Sequence, residues 1–192
     1  AIDLNPQYSI GYNNRGLAHA AQGDLDAAIA DYNEAIRLNP EDAVSYNNRG
    51  LARAMQGDFH AAIMDYDEAI RLSPQHVGAY FNRGYAYGAL GDFPAAIADY
   101  NTVLQIDPHN SMAYNNRGYA RFASGDVAGG FADYDTAIQV NPQNAGAYFN
   151  RGVAYGQQNN PAAAIADFTT VLQLDPHNSM AYNNRGVARF GK

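Results

Sequence analysis

Tyr12, Tyr46, Tyr80, Tyr114, Tyr148 and Tyr182 stand 34 residues apart. Each is followed two residues later by the same triplet, from Asn14-Arg15-Gly16 through Asn48-Arg49-Gly50, Asn82-Arg83-Gly84, Asn116-Arg117-Gly118 and Asn150-Arg151-Gly152 to Asn184-Arg185-Gly186. Pro6, Pro40, Pro74, Pro108, Pro142 and Pro176 keep the same period, and no insertion or deletion breaks the register. A fixed period of this length is the signature of a repeat architecture, in which each unit contacts only its neighbours. Five full repeats run 9–42, 43–76, 77–110, 111–144 and 145–178 within one array spanning 1–192. Residues 1–8 read as the tail of a preceding repeat and 179–192 as the first helix of a further one. A period of 68 overlies the first: Asp-Pro-His-Asn-Ser-Met-Ala-Tyr-Asn-Asn-Arg-Gly stands at 107–118 and again at 175–186.

Each unit reads as two helices. Residues 10–22 contain good helix formers and no proline. Gly23 then supplies a residue that tolerates positive φ, Asp24 caps a second helix to about Leu38, and Pro40 stops it. The same punctuation recurs as Gly57-Asp58, Gly91-Asp92 and Gly125-Asp126. The fifth repeat writes it Asn159-Asn160-Pro161, with asparagine next best at positive φ and proline suited to a first helical position. Alanine and tyrosine dominate the apolar content, and there is no tryptophan. That mixture suits close helix packing, a ring on one helix fitting a methyl on the next.

These residues resemble the tetratricopeptide repeat (TPR) family over the whole chain. The family pattern falls on Tyr12, Gly16, Ala28, Tyr32, Ala35 and Pro40 and on their equivalents in the other repeats. The resemblance implies an all-α fold, a right-handed α-solenoid of stacked antiparallel helical hairpins. Gly16 and Ala28 would let the two helices approach closely while Tyr32 fills the space between neighbours. The chain departs from the pattern at Arg15 and its equivalents, where the family has leucine, and at Gly130, where it has alanine. Each glycine in Gly129-Gly130 costs about 0.5–1 kcal/mol relative to alanine inside a helix, which marks the fourth repeat as the softest.

The resemblance also implies the use. In the family, positions two, five, six, nine, twelve and thirteen of each first helix face a groove that holds a protein or peptide. Position six is an asparagine in every repeat: Asn14, Asn48, Asn82, Asn116, Asn150 and Asn184. A carboxamide both donates and accepts, so such a ladder can grip a peptide backbone without reading its side chains. The alternative is that these amides bond only to a neighbouring helix. Position five alternates Asn13, Asn47, Phe81, Asn115, Phe149 and Asn183, and position nine carries Leu17, Leu51, Tyr85, Tyr119, Val153 and Val187. Phe122, Met112 and Met180 join them, and Phe81, Tyr85, Phe122 and Phe149 are expected to be exposed. The expected ligand is an extended, partly apolar segment. The family's carboxylate clamp for acidic tails needs lysines on this face, and the only lysine is Lys192.

Arg15, Arg49, Arg83, Arg117 and Arg151 recur with Asp31, Asp65, Asp99, Asp133 and Asp167, 16 residues further on. They could bind an anion, but regular co-occurrence with an acid favours ion pairs between the helices, since a half-buried arginine without a partner is costly.

Other chemistry finds little support. The net charge of −7 opposes nucleic-acid binding, which needs a basic stripe. No cysteine is present, so thiolate metal sites and disulfides are excluded. The histidines are spread through the register, and no nucleophile stands with a base, so neither metal, cofactor nor catalytic residues are expected. No segment is apolar enough to span a bilayer, and a soluble, cytoplasmic setting is the expectation. A second reading of the function is end-to-end self-assembly into a homo-oligomer, because neither end carries a polar capping helix.

Overall fold

The computed structural model describes residues 8–190, and these form eleven α-helices with no strand among them. In chain order they are α1 (Ser9–Ala21), α2 (Leu25–Leu38), α3 (Ala43–Met55), α4 (Phe59–Leu72), α5 (Val77–Ala89), α6 (Phe93–Ile106), α7 (Ser111–Ala123), α8 (Val127–Val140), α9 (Ala145–Gln157), α10 (Pro161–Leu174) and α11 (Ser179–Phe190). The tail expected at 1–8 lies outside the described residues except for Tyr8, as does the end of the segment expected at 179–192.

Turn chemistry sets these boundaries. Gly23, Gly57, Gly91 and Gly125 all sit at positive φ between the two helices of a hairpin, and the fifth repeat places Asn159 there at φ 56. The next residue caps the second helix: Asp24, Asp58, Asp92, Asp126 and Asn160 each accept from the backbone N–H three residues on. That contact satisfies one of the donors a helix start leaves free.

The chain divides into two compact units, the boundary falling between Thr102 and Val103 inside α6. In the first unit, α1 packs on α2 and α3 on α4, while α2 meets α3 and α4 meets α5. The first helices α1, α3 and α5 also touch in succession. The second unit repeats this with α7 on α8, α9 on α10, and α7, α9 and α11 in succession. Within each unit, therefore, antiparallel hairpins stack in the solenoid manner.

The core is built from tyrosine against small residues. Tyr66 is wholly buried, clustered with Ala62 of its own helix and Ala86 of the next repeat. A Cβ added at Gly50 would lie 2.7 Å from the Tyr66 ring, and one at Gly16 would lie 2.7 Å from that of Tyr32. The glycine is what admits the ring. Gly130 has a different reason. A Cβ there would come within 2.9 Å of Phe122 Cβ, on the facing helix. The equivalents of Phe122 are Ala20, Ala54, Gly88, Gly156 and Phe190. The facing helix, with the Gly118 carbonyl at 3.0 Å, therefore lies too close for a methyl there, and Phe122 packs edge-on against Phe131, which in turn contacts Tyr155.

One cap is chemically distinct. Asp42, Asn110, Asn144 and Asn178 cap their first helices through side-chain oxygens, whereas α5 is capped by His76, whose Nδ1 accepts from Ala79 N–H at 3.1 Å. His76→Ala is expected to cost about 1 kcal/mol, the usual worth of a cap, whereas His76→Asn, whose carboxamide also caps, should cost little; urea unfolding of the two variants checks this.

Candidate peptide-binding face of the first helices

Positions two, six, nine and thirteen of a helix lie on one side of it, because side chains three and four apart are neighbours. In the first unit this side of α1 and α3 exposes Ile10, Leu17, Val44, Leu51 and Met55, and α5 adds Tyr85, which is 57% exposed. In the second unit, α7 exposes Met112 and Tyr119, and α11 exposes Met180 and Val187. Large apolar side chains left in water at repeated positions form the candidate site. Phe59 and Met55 were not singled out from the sequence. The signal was available, since Met55 holds the thirteenth position and Phe59 opens the following helix.

Three of the rings are less open. Phe81, Phe122 and Phe149 are half-buried where exposure was expected. Phe81 packs edge-on against Tyr100 and Phe149 against Phe168, each the aromatic of its own repeat's second helix. Tyr85 keeps its exposure, although its edge meets Phe59 at 6.5 Å between ring centres.

The asparagines divide their bonding capacity. Asn48 donates through Nδ2 to Asn13 Oδ1 of the preceding repeat at 3.0 Å. Asn82 donates likewise to Asn47 at 3.1 Å, and Asn150 to Asn115 at 2.9 Å. Position six of one first helix is thus tied to position five of the one before. Asn184 has Phe149 rather than a carboxamide at the corresponding place, and turns back to its own helix, donating to the Met180 carbonyl at 3.0 Å. Asn14 is exposed, and Asn116 accepts from its neighbour Asn115. Among the described residues, no group donates to Oδ1 of Asn82 or Asn150. These two ladder amides therefore spend their donors on the fold and keep an acceptor for a peptide N–H.

The arginines lie away from this face, across the hairpins. Arg15 bonds Asp31 through two nitrogens, Arg49 bonds Asp65, Arg83 bonds Asp99, Arg117 bonds Asp133 and Arg151 bonds Asp167, with closest approaches of 2.6–2.7 Å. Asp65 also receives Arg53, and Asp133 receives Arg121, each at 2.9 Å. Arginines additionally join repeats: Arg83 reaches Asp67 of the repeat before, Arg151 reaches Asp135, and Arg49 donates to the Asn33 carboxamide. The hydrogen bond to Asp99 holds the Arg83 guanidinium well above its ordinary range, against the pull of burial. Burial pushes the Asp99 carboxyl up, and Arg83 opposes it. Each guanidinium also lies over the tyrosine three residues earlier, as Arg49 does over Tyr46 at 5.4 Å. Arg185 keeps this stacking over Tyr182.

No helix among the described residues is long and apolar enough to cross a membrane. Comparison with curated proteins finds no match. Among solved structures, YrrB, described as a TPR protein with an unusual peptide-binding site, is 19% identical with a TM-score of 0.74, covering 97% of this chain and 96% of its own. TTC0263, a thermophilic TPR protein of Thermus thermophilus, is 17% identical at TM-score 0.79, covering 94% and 98%. Cut9 with Hcn1, from an APC/C hetero-tetramer, is 18% identical at TM-score 0.85, with 97% of this chain matched to 37% of that one. Family sequence models match directly: the TPR repeat model covers 16–57, 55–91 and 118–159, and the tetratricopeptide repeat model covers 77–110 and 145–178. The chain belongs to the tetratricopeptide repeat family.

Proposed function

We propose that the protein is a non-catalytic scaffold whose first helices bind an extended, partly apolar segment of a protein partner. The observation that carries this reading is the water-exposed apolar side chains on the first helices of each unit, Leu51, Met55 and Tyr85 in the first and, separately, Met112 and Tyr119 in the second. Each unit also holds an amide with an unused acceptor, Asn82 in the first and Asn150 in the second. Such a surface removes apolar area from water on binding and fixes the peptide backbone through Asn82 or Asn150. TPR repeats commonly serve protein recognition, and YrrB, of the same fold, is described as having a peptide-binding site.

The test is selection of peptides from a displayed random library, followed by affinity measurement on Leu51→Asn, Tyr85→Asn and Tyr119→Asn. These positions are exposed, so circular dichroism should stay unchanged. Loss of one well-buried aromatic anchor is expected to weaken binding at least tenfold, at about 1.4 kcal/mol per tenfold. Selected peptides that bind all three variants as tightly as the wild type would remove this face from the account.

A further inference from the structure

The first unit contains a pocket of about 290 Å³ lined by Leu51, Met55, Phe59, Tyr66, Asn82 and Tyr85. It opens between the C-terminal halves of α3 and α5, with α4 beneath. Its walls are aliphatic and aromatic apart from Asn82, the amide whose Oδ1 stays free, with the hydroxyls of Tyr66 and Tyr85 the other polar groups. The volume suits one branched or aromatic side chain.

Acidic side chains adjoin the residues that line it. Asp58 directly precedes Phe59 and is exposed, its carboxylate capping α4. Asp26 is exposed as well and accepts from Gln56, the neighbour of Met55, at 2.7 Å. The nearby guanidinium of Arg53 is committed to Asp65. The C-terminal ends of α3 and α5 add the negative pole of their dipoles.

The second unit supplies a natural contrast three repeats further on. There a pocket of about 430 Å³ is lined by Val153, Gly156, Pro161, Phe168, Asn184 and Val187, among others. Pro161 stands where the first unit has Phe59, and the cap before it is Asn160 instead of Asp58. The same register position is thus acidic in one unit and neutral in the other.

We propose that the first-unit pocket takes a large apolar side chain from a partner segment in which basic residues follow immediately, so that lysine or arginine meets Asp58 and Asp26. This rests on the peptide-scaffold reading and adds the class of segment. The apolar side chain fills the pocket, the Asn82 carbonyl accepts a peptide N–H, and the two carboxylates select the charge.

Two fluorescein-labelled peptides test it by fluorescence polarisation at pH 8 and low salt: Gly-Ser-Gly-Leu-Arg-Lys-Gly-Ser-Gly and Gly-Ser-Gly-Leu-Glu-Asp-Gly-Ser-Gly. The basic peptide is expected to bind about fivefold tighter, as two exposed charge pairs provide, and the gap should shrink as salt is added. Asp26→Asn/Asp58→Asn should erase the gap, and asparagine caps α4 as well as aspartate does. Tyr85→Ala should weaken the basic peptide about tenfold or more while circular dichroism is unchanged. Equal binding of the two peptides, or a gap that survives the double variant, overturns the charge assignment and leaves the scaffold reading standing. Insensitivity to Tyr85→Ala, or no binding of the basic peptide while library-selected peptides bind the same face, overturns the pocket assignment. Only failure of the library-selected peptides as well would reach the scaffold reading itself.

Discussion

Replacing Asp65 by alanine is expected to destabilise the protein by about 3–5 kcal/mol, because it strips the counter-charge from half-buried cations. Asp65 is 4% exposed at its side chain and receives both Arg49 and Arg53. Arg49 is itself only 16% exposed, and its remaining contacts are the neutral Asn33 carboxamide and the Tyr46 ring. Without Asp65 two guanidinium groups face one another with no carboxylate between them. The repeats provide a graded control. Asp31 meets Arg15, which is 49% exposed, and at 3.8 Å His19. Arg15 can rehydrate once its partner is lost, so Asp31→Ala should cost no more than about 1–2 kcal/mol, nearer the range of exposed pairs. Denaturant unfolding of the two variants checks the order. Equal losses would mean that the pair's worth does not depend on burial.

Tyr66→Ala is expected to cost a comparable amount, about 3–5 kcal/mol, for a different reason. The ring is fully buried and fills the space that Gly50 leaves open. Large-to-small core changes lose the transfer free energy of the ring and add a cavity, and the rigid helices around it cannot collapse to fill it. Tyr66→Phe should cost under about 1.5 kcal/mol, as volume-conserving swaps do. The fifth repeat already uses Phe168 at this place, 2% exposed against Gly152. The reciprocal change, Gly50→Ala, gains helix propensity but places a methyl against the Tyr66 ring, so it should destabilise despite that gain. Thermal and urea melts of the three variants separate ring volume from hydroxyl chemistry.

The hairpins were legible in the sequence because turns are local. Positive φ at Asn159 follows from the residue types between two periodic segments, without any knowledge of the neighbours. The first helix of the first repeat begins at Ser9 rather than residue 10 and ends at Ala21 rather than residue 22, a shift of one residue at each fraying end. The fate of the asparagines was harder to read. Whether a carboxamide faces a ligand or the next repeat depends on how closely adjacent first helices approach, which is a tertiary quantity. The clue lay in pairs: Asn47 stands one repeat before Asn82, and Asn115 one repeat before Asn150. Gly130 shows the same limit. In the pair Gly129-Gly130 it reads as a weak point, and only the close approach of the facing helix at Phe122 and Gly118 shows why alanine would not fit there. His76 as a cap was hidden because imidazole rarely takes that role, so no residue-type rule points to it.

The account stands on the first helices being the face that meets a partner. The most direct measurement is photo-crosslinking of a library-selected peptide carrying a benzophenone side chain, with the attachment sites mapped by mass spectrometry. Attachment is predicted at the exposed residues of first helices within a unit, such as Met55 and Tyr85 of the first or Met112 and Tyr119 of the second. Attachment concentrated instead on the outward residues of second helices, such as Met64 and Arg71, would contradict it.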